Sequence, residues 1–96
     1  MIGDKIRELR EGENILLRQL AAQLDMDTAL LSKMERGDRL FRKEDIIELA
    51  KIFHQSQEEL LTLWLADKIL KTTEGEAYIP QALSLALQTY NKNHSI

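Results

Sequence analysis

Cysteine is absent from the chain, which excludes disulfides and thiolate metal sites and fits a reducing compartment. No apolar run approaches the eighteen or so residues that a membrane-spanning helix needs, and the opening MIGDKIREL carries acids where a secretory signal would be apolar. A cytoplasmic location is expected. Sustained period-two alternation of apolar and polar residues is also missing, as are internal repeats and low-complexity tracts, which argues against β architectures and repeat arrays. Ninety-six residues, 44% of them apolar, fit one compact domain with no more than a short extension.

What is present is helical periodicity. A first helix is expected from about Gly3 to Glu11, with Ile6 and Leu9 inward and Gly12 as its stop. Leu17, Leu20, Ala21 and Leu24 follow the i, i+3, i+4, i+7 template of a second helix, and a third starts after Asp27 and ends at Gly37. A fourth spans Lys43 to Phe53. Ser56 and Glu59 make a capping box for a fifth, which reaches about Lys71 with apolar residues around most of its circumference. One small domain cannot hide all of that surface. After the loop KTTEGEA, Pro80 suits the first turn of a sixth helix reaching about Asn91.

Charge is unevenly placed along these elements. Residues 1–43 hold nine Lys/Arg against eight Asp/Glu, whereas residues 44–96 hold four against eight. Between Ser32 and Lys43 five cations (Lys33, Arg36, Arg39, Arg42, Lys43) face only Glu35 and Asp38. Local sign therefore matters more than the net charge of -3.

The stretch LRQLAAQLDMDTALLSKMER, from Leu17 to Arg36, places apolar side chains at Leu20, Leu24, Met26, Leu31 and Met34, with the small Ala21 between them. Two short helices crossing steeply through a tight turn need this arrangement, because alanine at the crossing lets the backbones approach. With LLSKMERGDR behind it, the segment resembles the XRE-type, Cro and phage-repressor-like helix-turn-helix proteins, and the likeness covers about residues 3–65.

The periodicity makes the fold all-α with a C-terminal helical extension over 67–96, and the resemblance implies that residues 1–66 form a five-helix repressor-like helix-turn-helix domain, with the motif at 17–36. It implies double-stranded DNA as partner, with the third helix in the major groove. By position, Thr28, Ala29, Ser32 and Lys33 would face base edges, Lys33 being able to donate to guanine O6 and N7. Arg18, Arg36, Arg39, Arg42 and Lys43 would lie along phosphates. Arg10 and Glu35 would pair to join the first and third helices.

Some residues depart from that pattern. Leu16 and Leu17 replace the polar pair that opens the second helix in the family, and Asp25 stands where glycine is usual, though Asp tolerates positive φ. Asp27 has two readings, as the cap of its own helix or as an acceptor for cytosine N4. With Asp25, Asp27 and Glu35 so explained, Asp38 is left as the one acid without a partner in the basic loop.

No cofactor or metal is expected. His54 and His94 lack companion ligands, and Ser32 has no partner at a spacing that suggests a nucleophile, so an enzyme is not expected. A single module offers three or four phosphate contacts, which argues for a homodimer. Trp64, Ile69, Leu83 and Leu87 are the candidates for its interface, Trp64 being equally readable as core. The expected function is a dimeric transcription regulator on an inverted-repeat operator, a class that includes restriction-modification controllers and antitoxins. The alternative is a protein-interaction module on the same scaffold that binds a partner through its C-terminal helices.

Overall fold

The computed structural model describes residues 1–95, which form six α-helices and no strand: α1 (Ile2–Gly12), α2 (Leu17–Gln23), α3 (Thr28–Glu35), α4 (Lys43–Ile52), α5 (Gln57–Thr72) and α6 (Ile79–Asn93). The first four end in one motif, in which a left-handed residue donates its N–H three residues back and the next residue donates five back. At α1 the bonds run from Asn14 N to Glu11 O and from Ile15 N to Arg10 O. Asp25, Gly37 and His54 occupy the same place after α2, α3 and α4, with φ of 52, 84 and 52°. Gly12 is not the stop of α1 that its sequence suggested; it lies inside the helix, and Asn14 takes the left-handed position.

α1 to α5 close around one core. Ile6, Leu20, Leu31, Ile46 and Leu49 are fully buried, one or two from each of the first four helices, with Leu60 and Trp64 contributed by α5. Removing each such side chain from water contributes about 1.5–3 kcal/mol. α2 packs on α3, α4 on α5, and α1 on both α3 and α5. Ala21 is buried at the α2–α3 crossing.

The contact between α1 and α3 is the tightest. A Cβ at Gly3 would stand 2.5 Å from the carbonyl oxygen of Glu35 and 2.7 Å from that of Met34, both backbone atoms that cannot swing aside. Only glycine fits there. At this same end α1 meets α5, which runs unbroken through residues 66 and 67, where a boundary was expected. Asp67 accepts the backbone N–H of Ile2 at 2.7 Å, so α1 is anchored to α5 beyond that point.

Trp64 corrects one expectation. Its ring is buried and its indole N–H donates to the carbonyl of Phe41 at 2.6 Å, so it is part of the core and offers no surface to a second protomer. α6 behaves oppositely. It carries no buried residue, and Leu85, Leu87 and Tyr90 are each more than half exposed. Among the described residues no helix is long and apolar enough to cross a membrane.

Glycine should have opposite effects at two positions. Gly3→Ala is expected to lower unfolding stability by about 1–3 kcal/mol through overpacking, whereas His54→Gly should raise it by about 1 kcal/mol by relieving the left-handed conformation. Urea denaturation of both variants measures the two signs.

Candidate nucleic-acid interface

The turn between α2 and α3 shapes this surface. Asp25 takes the left-handed conformation without glycine, and Met26 N donates back to Ala21 O at 2.9 Å, so the chain reverses tightly enough to set α3 across α2. Asp27 then opens α3 with extended backbone, its carboxylate accepting the N–H of Ala29 at 3.0 Å. Its charge therefore sits at the positive end of its own helix, where it is stabilised.

α3 has two unlike faces. Leu31, Met34 and Glu35 are buried, while Thr28, Ala29 and Lys33 are exposed and Ser32 is partly so. Positions i, i+1, i+4 and i+5 share one side of a helix, so these four side chains form a single outward strip about as long as α3 itself.

The buried Glu35 holds the helix to the body. Arg10 donates from Nε to Glu35 Oε2 at 2.9 Å and from Nη2 to Oε1 at 3.0 Å, and from Nη1 to the carbonyl of Ile15 at 3.0 Å. Arg7 stands 3.7 Å from the same carboxylate. The hydrogen bond to Glu35 raises the Arg10 pKa above its ordinary value against the opposing effect of burial. One guanidinium thus joins α1, α3 and the connection into α2, and leaving Glu35 (2% exposed) unpaired would cost about 3–5 kcal/mol.

The cations expected along phosphates fall into two groups. Arg18, Arg39 and Lys43 are exposed and form no ion pair among the described residues; the same is true of Lys33 on the strip. Arg36 and Arg42 are tethered. Arg42 donates from Nε and Nη2 to the two oxygens of Asp45 at 3.2 and 3.0 Å, and Asp45, only 4% exposed, also accepts the Arg42 backbone N–H at 3.0 Å. That carboxylate caps α4, and its hydrogen bond raises the Arg42 pKa. Arg36 donates to Asp38 Oδ2 at 3.2 Å and to Ser32 Oγ at 3.1 Å. Asp38 is therefore not the unpartnered acid of the loop.

A family model described as a helix-turn-helix domain matches residues 2–63, well over half of the chain and the same span that builds the strip and its supports. The chain belongs to the helix-turn-helix domain family. No curated relative and no solved structure matches it significantly. In this helix-turn-helix protein the Trp64–Phe41 bond pins the loop between α3 and α4, on which Arg39 and Arg42 stand. Sequence reasoning missed that pin, the Gly3 contact and both tethers. The Arg42–Asp45 spacing of three at a helix start was the one available signal. At the front of α2, Leu16 cannot cap with its side chain; Gln19 instead accepts the Leu16 N–H at 2.8 Å, and Leu16 is left half exposed.

If Asp27 acts as a cap, Asp27→Ala should lower stability by about 1 kcal/mol while Asp27→Asn, which keeps a side-chain acceptor, should change it by only a few tenths. Thermal melts of the two variants side by side give the comparison.

Proposed function

We propose that the chain is a sequence-specific, double-stranded DNA-binding transcription regulator of XRE-like type, acting as a homodimer on an inverted-repeat operator. The observation that carries the reading is the outward strip of α3, held rigid from behind by the Arg10–Glu35 pair and flanked by cations that no carboxylate neutralises. Thr28, Ala29, Ser32 and Lys33 would read base edges: Lys33 donating to guanine O6 or N7, Thr28 hydrogen-bonding or setting its methyl against thymine, and Ala29 making an apolar contact. Arg18, Arg39 and Lys43 are the freest phosphate ligands. Arg42 would contribute from its tethered position, giving register more than sequence information, while the Arg36 guanidinium is held on Asp38 and Ser32.

Pairing of two protomers rests on the distribution of apolar surface. Eight of the ten large hydrophobic side chains that are exposed lie between Leu65 and Tyr90, among them Ile69, Leu83 and Leu87. In α6, Ile79, Leu83, Ala86 and Tyr90 recur at spacings of four, three and four, the seam of a helix that packs against another helix. A second copy meeting this end of the molecule would leave both α3 strips free for successive turns of one DNA face. A restriction-modification controller and an antitoxin partner use the same DNA mechanism and remain equal assignments of it.

The competing role, a protein-interaction module working through α5 and α6, is favoured by the same exposed apolar end and by the exposed Leu16 at the front of α2. DNA binding separates the two. Fluorescence-anisotropy titrations should show a log–log salt slope near -5 to -7, from about six to eight phosphates neutralised per dimer, and Lys33→Ala should relax the preference at one base pair of each half-site by about 1–3 kcal/mol. Absence of binding to any duplex at low salt would hand the case to the interaction module.

A further inference from the structure

Arg36, Ser32 and Asp38 form a chain of contacts on the surface assigned to DNA. Arg36 follows the last residue of α3, and its guanidinium is held at two points, by Nε on Asp38 Oδ2 (3.2 Å) and by Nη1 on Ser32 Oγ (3.1 Å). It is folded back along the recognition strip. The left-handed Gly37 makes this possible, because the turn it forms brings Asp38 N to within 2.9 Å of Lys33 O and so sets the Asp38 side chain beside α3.

Ser32 is the residue whose chemistry this settles. A serine inside a helix commonly donates its hydroxyl proton to the carbonyl four residues back, as the hydroxyls of Thr62, Thr72 and Thr89 do here on α5 and α6. The Ser32 hydroxyl makes no such bond; its recorded partner is Arg36, from which it can only accept. Its proton is thereby left for an acceptor outside the protein. In the major groove those acceptors are guanine O6 and N7, adenine N7 and thymine O4, while the amino groups of cytosine and adenine are donors for which Arg36 leaves only one Ser32 lone pair free.

Resting on the DNA-binding reading above, we propose that Asp38 is a specificity-determining positioning residue. Through Arg36 it occupies one lone pair of Ser32 and so biases that hydroxyl toward donating to a base-edge acceptor, and it keeps the Arg36 charge from serving as an unselective phosphate contact. Without the carboxylate, Arg36 is free to turn to the DNA backbone, one more cation per protomer acts on phosphates, and Ser32 recovers the freedom to donate or accept. Both consequences weaken discrimination. The carboxylate itself, close to the phosphates, also subtracts from attraction to every sequence alike.

Purified full-length chain is titrated onto its preferred duplex, onto single-base variants of that duplex and onto random-sequence duplex, over a series of salt concentrations. Asp38→Asn should raise affinity for random-sequence DNA several-fold and steepen the log–log salt slope by about 0.9 for each protomer engaged. It should also flatten the base preference at the same position where Ser32→Ala flattens it. Asp38→Glu, which restores a carboxylate, should recover part of that preference, an outcome that a merely structural effect of the loop would not produce. Asp38 is exposed and Ser32 partly so, and far-ultraviolet circular dichroism verifies the fold of each variant. If wild type discriminates between sequences but Asp38→Asn keeps the wild-type slope and preference, the positioning role is overturned while the DNA-binding reading stands. Failure of the wild type to bind any duplex overturns both.

Discussion

The joint between α1 and α3 is the constraint on which the remaining structure turns. Gly3 lets the two backbones come closer than any side chain would allow, and that approach brings Arg10 onto the buried carboxylate of Glu35 with two parallel hydrogen bonds. The strength of such a pair is not the main consequence, since two desolvated charges return little net stability. Direction is. A bidentate guanidinium–carboxylate contact fixes rotation as well as distance, so the rotation of α3 about its own axis, and with it the choice of residues that face outward, is set from behind.

A second set of bonds carries this rigidity into the basic loop. Trp64 takes the Phe41 carbonyl, Asp45 takes Arg42 three times, and Asp38 takes Arg36. Asp27, Glu35 and Asp38 are thus partners of particular cations or helix ends, and of the N-terminal half's cations without an ion pair, Arg18, Lys33, Arg39 and Lys43 are exposed and Lys5 partly so. An acidic protein can in this way present a basic surface. The remaining negative charge lies largely in α4, α5 and the loop before α6, and α6 itself carries one charged side chain, Lys92.

How much of this was legible in the sequence varied with the range of the interaction. Asp25 and Asp27 were readable because turns and caps are local: the residue that needs positive φ and the one that accepts its own helix's N–H are decided within four positions. The buried side of α3, with Leu31 and Met34, followed from the apolar spacing, whereas its outward residues and the Arg10–Glu35 pair came from resemblance. Gly3 was not readable, since its importance lies in a backbone more than thirty residues away. Gly12 misled because glycine is the usual terminator, whereas Asn14 and His54 accept the same conformation. Trp64 was ambiguous because α5 is apolar nearly all round, and only the packed structure separates the side that meets Phe41 from the side carrying Leu65 and Ile69.

In the proposed function the outward strip of α3 reads base edges, and two such strips act together. Selection of bound duplexes from a random pool by the full-length chain tests it most directly. An enriched inverted repeat is expected, with half-sites centred roughly 10 base pairs, about 34 Å, apart; a pool that stays flat through successive rounds at low salt would rule out base reading by α3.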